Sequence, residues 1–418
     1  MTNKSILKII LIYLFFIPFH ISYGEASEQN SAPPSKNIPS EKKDLSPIKL
    51  GISINPNEIF LKEFRAGFQA YFKKINDRGG INGHLIELIV MDDKRDPVIT
   101  AHNVREFIDK DNVLAIIIAG SANVLVTLPI INEKHVLLYA PYAGSEFLYT
   151  HPPFHYVINF STGSGKGSEI IIKNLLDNGF KPEEMAFFLQ NDPFGDSYYK
   201  GSMDALKKFG YPNPEKLPYG RYSRATMNVE GGVANLLRDA RANKFEIKVI
   251  ISATTPPGDV EFVKLVKQLI PNALIVNSGS SITYSDFTGL DFNFIASQTV
   301  PSPFDISLPA VREYQEDFKK YQSDLKYSQS SLHGYLRAKI LNIALSRALE
   351  ANNLTREGLI DAFESFRDVD IGIVEKITID KDDHTLLNKS YLMLIKDGKP
   401  IPIEWTDLNK LKSRNGSP

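Results

Sequence analysis

Residues 113–140 read VLAIIIAGSANVLVTLPIINEKHVLLYA. From Val113 to Ala119 the run is apolar without a break. A half-wet strand alternates apolar and polar residues, whereas a strand covered on both faces of a parallel sheet reads as a continuous apolar run. Gly120-Ser121 ends the run, a helix is expected over Val124 to Glu133, and Val136 to Ala140 forms the next apolar strand.

The same alternation continues on both sides. Ile48 to Ile54 reads as a strand, and Asn57 is expected to cap a helix running to Asp77. Phe60, Phe64, Phe68, Tyr71 and Ile75 share one face of that helix. Gly79-Gly80 ends it, because glycine takes the left-handed cap conformation without strain. Asn82-Gly83 is a turn, Leu85 to Met91 a strand, and Pro97 opens a helix to Asp109. Later strands are expected at Met185–Leu189, Val249–Ser252 and Leu274–Val276. Helices are expected at Ile170–Asn178, Ser197–Phe209, Val233–Ala242, Asp259–Ile270 and Leu332–Asn352. Asp397-Gly398 joins Tyr391–Lys396 to Lys399–Glu404 as a hairpin. Strand–helix alternation builds parallel sheets with helices on both faces, and the units here are too many for one sheet. The fold class is therefore α/β, in two doubly wound parallel-sheet lobes.

Composition narrows the function. The chain has 418 residues, 43% hydrophobic and 23% charged, which excludes collagen-like, coiled-coil and wholly disordered classes. Lys plus Arg is 48 against 49 for Asp plus Glu, so nothing marks a nucleic-acid binder. There is no cysteine, which removes disulfides, thiolate metal sites and cysteine nucleophiles. Lys4 and Lys8 precede the apolar run Ile9–Ile21, and Ser22-Tyr23-Gly24 has the small residues of a cleavage site. The run is shorter than the ~20 residues of a spanning helix. A cleaved signal over 1–24 is expected, with a retained anchor as the alternative. Cleavage removes two lysines and no acid, moving the net charge from -1 to -3. Residues 25–47 are rich in Ser, Pro, Glu and Lys and read as a flexible spacer. Export without cysteine suits a periplasm.

Four blocks carry a resemblance. GGINGHLIELIVMDD (79–93), LAIIIAGSANVLVTLPIINEKHVLLYAPYAGS (114–145), FLQNDPFGDSYYKGSMDALKKFG (188–210) and SLHGYLRAKILNIALSRALE (331–350) resemble, in order and spacing, the leucine/branched-chain amino-acid-type periplasmic binding proteins. The likeness spans residues 48–404. It implies a type I periplasmic binding fold: two lobes joined by three hinge crossings, with a ligand trapped between them. The crossings are expected near 160–165, 298–303 and 372–378. That makes lobe 1 residues 48–162 plus 301–375, lobe 2 residues 163–300 plus 376–408, and 409–418 a tail. Pro301 and Pro303 break the alternation, and Gly163, Gly165 and Gly167 permit a hinge.

Ligands in open α/β sheets sit beyond the carboxyl ends of the strands. Ser121, Ala122 and Asn123 stand at such an end, where a hydroxyl and free helix N–H groups favour a carboxylate. The plainer reading is that Ser121 or Asn123 caps the helix. The resemblance implies that the turn Ala143-Gly144-Ser145 offers a carbonyl and a hydroxyl to an amino-acid head group, and that Phe194 closes on the ligand from the second lobe. Asp192 or Asp196 is expected to cap the helix there. Thr254, Thr255, Ser278 and Ser280 end two more second-lobe strands. Amino-acid-binding relatives often have a carboxylate near Ser278 to meet the ligand ammonium, and here there is serine. Asp192, Asp259 or Glu146 could substitute. An amide, urea or aromatic acid is therefore expected ahead of a neutral amino acid.

Enzyme patterns fail in their details. In GSGKGS (163–168), Phe160 stands where a phosphate loop needs its first glycine and Gly167 where it needs Ser or Thr. His151 and His155 are separated by two prolines, against a shared helix face for a metal. Asp92-Asp93 reads as a turn. No cofactor, metal or catalysis is expected. The expected partners are a small-molecule ligand and, from the resemblance, an ABC-transporter permease, with the protein a monomer. Alternatives are a sensor signalling to a membrane partner and an exported enzyme.

Overall fold

The computed structural model describes residues 45–278, 282–290, 294–408 and 411. The expected signal, all but the last three residues of the expected spacer, Ser280, and all of the expected tail except Leu411 lie outside them.

The first lobe is built from β1 (Ile48–Ile54), α1 (Ile59–Asp77), β2 (Ile86–Asp92), α2 (Pro97–Asp109), β3 (Ala115–Ile118), α3 (Ser121–Lys134), β4 (Leu137–Tyr139) and β5 (Val157–Ser161). The chain then enters the second lobe with α4 (Ser164–Asp177), β6 (Met185–Gln190), α5 (Pro193–Lys208), β7 (Tyr219–Tyr222), α6 (Glu230–Ala242), β8 (Val249–Ala253), α7 (Gly258–Leu269), β9 (Leu274–Asn277) and β10 (Phe294–Gln298). It returns to the first lobe for α8 (Pro309–Tyr321), α9 (Gln329–Glu350), α10 (Arg356–Glu364), β11 (Val369–Asp370), β12 (Lys376–Ile377) and β13 (Thr385–Leu387). It ends in the second lobe with β14 (Tyr391–Lys396) and β15 (Lys399–Ile403).

The first sheet runs β13-β5-β4-β3-β1-β2, and every pairing in it is parallel. All four residues of β3 are buried, and they divide by parity. Ala115 and Ile117 face the core made by α1 and α9, while Ile116 and Ile118 face the core made by α2 and α3. A strand's side chains alternate faces, so two helical layers force both parities to be apolar. The second sheet runs β15-β14-β10-β9-β8-β6-β7, with a parallel body and the antiparallel hairpin β14/β15 at one edge. Phe187 and Leu189 face α4 and α5, and Ala186 and Phe188 face α6 and α7. Asp397 and Gly398 both have positive φ, 48° and 69°, as the two-residue turn requires.

Sheet membership places the third return between β13 and β14. The expectation of a crossing at 372–378, with the second lobe resuming at 376, is corrected. β13 pairs with β5, Thr385 opposite Asn159 and Leu387 opposite Ser161. Ile377, Ile379, Leu386 and Leu387 are buried in the first lobe's core.

Helix starts differ from the sequence reading in one direction. α3 begins at Ser121, α4 at Ser164 and α5 at Pro193, each several residues before its apolar periodicity becomes visible. Their first turns, SANV, SGKG and PFGD, are rich in small and polar residues and hold at most one large apolar side chain each, so they show no apolar stripe to read. α1 starts at Ile59 with Glu58 at the cap position. Asn57 does not cap it, and its N–H donates instead to Asn55 Oδ1 at 3.0 Å.

Helices α1 and α9 meet at backbone contact. A Cβ on Gly67 would lie 2.1 Å from Ser331 O, and one on Gly334 would lie 1.9 Å from Phe64 O. Only glycine permits that approach. It seats α9 against α1 so that Arg337, one turn beyond Gly334, reaches the space between the lobes.

Candidate functional site

A cavity of about 80 Å³ lies between the lobes and is lined from both. From the first lobe come the ends of β3 and β4, the loop after β2, and Arg337. From the second come the loop after β6, Thr255 and Ser278.

Gly120, with φ 94°, turns the chain from β3 into α3, and no side chain caps the helix. Ser121 is therefore the first helical residue and not a cap, which corrects the plainer reading. It is 3% exposed, and its Oγ has no hydrogen-bond partner among the described residues. Next to it stands Arg95, which the sequence reading missed. Asp93 builds the loop that presents it. The Asp93 carboxylate accepts from the Arg95 N–H (2.9 Å), Ser53 Oγ (3.3 Å) and Asn123 Nδ2 (3.2 Å), while burial pushes its pKa up. Lys94 and Arg95 both have positive φ. Arg95 Nη1 donates to Glu58 Oε2 at 2.8 Å, and its Nε is buried with no partner among the described residues. Burial raises the Glu58 pKa, against the opposing pull of Arg95.

Arg337 is the second cation on the wall. It is 2% exposed. Nε donates to Ala140 O (2.9 Å), and Nη1 donates to His333 O (3.2 Å) and lies 2.9 Å from His333 Nδ1. Its guanidinium carbon sits 3.5 Å from the centre of the Phe160 ring, with Tyr142 at 5.2 Å and Phe64 at 5.3 Å. Burial lowers its pKa to about 10, so it stays charged at neutral pH. Burial, and then Arg337, hold His333 well below its usual pKa, so this histidine is neutral and its Nδ1 accepts.

On the second lobe, Asp192 caps α5. Its Oδ1 accepts from Phe194 N (3.0 Å) and Gly195 N (3.3 Å), and its Oδ2 from Gln190 Nε2 (2.7 Å). Thr255 Oγ1 donates to Gln190 Oε1 at 2.7 Å. Phe194 meets Tyr198 edge to face at 5.1 Å. Ser278 faces the cavity, although its Oγ donates to Ser252 O at 2.9 Å.

Of the residues expected at the site, Ser121, Ala143, Gly144, Phe194, Thr255 and Ser278 line this cavity. Ala122 does not. Asn123 is turned to Asp93. Ser145 is fully buried, and its Oγ crosses the interface to donate to Pro193 O at 2.9 Å. Thr254 is buried, accepting from Asn277 Nδ2 at 2.6 Å. Ser280 lies outside the described residues. Among the three acids considered as ammonium partners, only Asp192 reaches the cavity wall. Asp259 is fully buried, and Glu146 Oε2 accepts from Gly165 N at 2.7 Å. The segment GSGKGS forms the start of α4, and His155 pairs with Glu357 at 2.9 Å. Arg95 and Arg337 carried no sequence signal of this kind: one reads as a turn residue, the other as a helix residue.

Comparisons with known proteins agree with the geometry. A family model described as periplasmic binding protein matches residues 55–400. No curated protein matches the chain. Among solved structures, a possible leucine/isoleucine/valine-binding protein from Rhodopirellula baltica is 26% identical, with a TM-score of 0.81, over 87% of this chain and 98% of that one. A fatty acid ABC transporter substrate-binding protein from Thermomonospora curvata is 21% identical (TM-score 0.72; 86% and 92% covered). A branched-chain amino acid ABC transporter protein from Thermus thermophilus with bound valine is 17% identical (TM-score 0.71; 85% and 95% covered). These last two share the fold. Two doubly wound lobes around a lined cleft, and a family match over nearly the whole described body, make this chain a member of the periplasmic binding protein family, of type I fold.

Proposed function

We propose that this protein is an exported receptor that captures one small polar ligand between its lobes and presents it to an ABC importer. It acts as a monomer in the periplasm. The observation that carries this reading is the inter-lobe cavity, where Ser121 Oγ and Arg95 Nε are buried with no partner among the described residues. Burying an unsatisfied donor costs about 1–3 kcal/mol, and a ligand acceptor would relieve that cost.

Other observations support it. Hydrogen bonds cross directly between the lobes, from Ser145 to Pro193 O and from Arg224 Nη2 to Arg95 O (2.8 Å), as in a cleft that shuts on its contents. The Thermus relative holds valine, the Rhodopirellula relative is named for leucine, isoleucine or valine, and the Thermomonospora relative is a fatty acid receptor. Asp192, the one carboxylate on the cavity wall among the described residues, already accepts three hydrogen bonds, which argues against a general base there. Export rests on the basic and apolar start of the chain, and no helix among the described residues is long and apolar enough to cross a membrane.

The test is thermal-shift screening of the chain from residue 25 onward against amino acids, amides, ureas and carboxylic acids. A ligand that binds only the folded state raises its apparent stability. Small-angle scattering should show compaction with the hit. A hit that raises stability without compaction would contradict capture between lobes.

A further inference from the structure

The two guanidinium groups on the cavity wall differ in how their charge is met. Arg95 faces Glu58 at 2.8 Å. Arg337 forms no ion pair among the described residues. Its described partners are two carbonyls, a neutral histidine and the faces of aromatic rings. These lower the cost of burying a cation and supply no negative charge. A buried charge without a counter-charge is among the most expensive arrangements in a protein, and a carboxylate brought into the cleft would offset it.

A second, independent observation points to the same chemistry. Ser121 Oγ and Arg95 Nε are both buried with no partner among the described residues, and they lie close together: a Cβ on Gly120 would lie 4.0 Å from Arg95 Nε. Both can donate. They flank the uncapped N-terminus of the 14-residue helix α3, whose first N–H groups favour an anion. The wall thus offers two cations and free donors, while its carboxylate, Asp192, is occupied as a helix cap. A zwitterionic amino acid would bring an ammonium group into this field, and like charges at close range discriminate against a ligand.

We propose that the ligand is a small organic acid without a free ammonium group, its carboxylate selected by the unpaired charge of Arg337 together with Arg95 and Ser121, and its short aromatic or branched body lying against Phe160 and Phe194. This deepens the receptor reading and rests on it. Benzoate and 3-methylbutanoate represent the aromatic and the branched case.

The experiment is calorimetry and thermal shift on the wild-type protein with benzoate, 3-methylbutanoate, benzamide and leucine, repeated on Arg337→Met and Arg337→Lys. The expected result is that at least one acid binds and that each binding acid exceeds the affinity of its neutral or zwitterionic counterpart by about 10-fold or more. Arg337→Met should lose that preference, and Arg337→Lys should keep part of it. The wild-type comparison of benzoate with benzamide, and of 3-methylbutanoate with leucine, stands even if a variant fails to fold. Leucine or benzamide binding more tightly than its acid overturns the proposal and leaves the receptor reading intact. Acid affinity unchanged in a folded Arg337→Met variant overturns the role of Arg337. If none of the four binds, the acid proposal is overturned, and the wider library then decides the receptor reading separately.

Discussion

Ser145→Ala separates a lobe-to-lobe latch from a ligand contact. Ser145 is fully buried in the first lobe, and its hydroxyl donates to Pro193 O of the second at 2.9 Å. Pro193 O also accepts from Ser197 Oγ at 2.8 Å, so removing the serine hydroxyl does not leave that carbonyl orphaned. The loss is therefore the net value of one hydrogen bond, about 0.5–1.5 kcal/mol, and not the larger penalty for a stranded acceptor. The bond joins the two lobes, so a form with the lobes apart would break it. If ligand is held by the closed form, apparent affinity falls with the closed population, by about 2- to 12-fold. The measurement is calorimetric titration with several ligands of different head group, with scattering to follow compaction. A latch costs every ligand the same factor, because the bond concerns the protein alone. A factor that changes with the head group would mean that Ser145 touches ligand, and unchanged affinity would mean that the bond contributes nothing to closure.

Ser121→Ala should leave thermal stability unchanged or slightly raised, since the hydroxyl has no described partner, while weakening a carboxylate ligand by about 10- to 100-fold in calorimetry. Phe194→Ala should weaken any ligand with an aromatic body by about 2- to 12-fold, the value of one aromatic pair. Gly334→Ala drives a Cβ to 1.9 Å from Phe64 O, forcing α9 off α1; denaturation should show a loss of at least about 1–3 kcal/mol, and an unaltered midpoint would contradict the packing argument. Burial pushes the Asp259 carboxyl up to about 7, and that of Glu63 likewise. A carboxyl raised on folding favours the folded state when protonated, so its contribution is complete below the unfolded pKa and is lost as pH rises through 7. Melting temperature should accordingly fall between pH 5 and pH 8, and Asp259→Asn should reduce that slope.

Much of the fold was legible because burial writes itself into local periodicity. β1 and α2 have the bounds read from the chain, and AIII at 115–118 is apolar at every position because helices cover both of its faces. The cleft follows a different rule. Helices α3, α4 and α5 begin in turns of Ser, Gly and Pro whose residue types show no apolar period, so the sequence pattern becomes visible only after the helix has begun. β13, three residues long, carries too little pattern for its sequence to name the neighbour it pairs with.

Sequence alone determined many of the strands and helices, their order, the two-lobe division and the strand-end loops that hold Ser121 and Phe194, while β5, β7, β10, α8 and α10 carried no pattern that was read. Those features depend on residues within a turn or a strand of one another. Only tertiary structure decided which polar groups face the cleft. Arg337 lies in a helix whose neighbours are apolar, and it becomes a buried cation only when Gly67 and Gly334 bring α9 onto α1 and Phe160 arrives beneath it. Arg95 reads as one charge in DDKRDP until Asp93 ties the loop to Ser53 and Asn123. Ser145 and Pro193 are 48 residues apart and belong to different lobes. Contacts of that kind leave no periodic trace, because they are set by where two separately folded surfaces meet and not by the face that any one element buries.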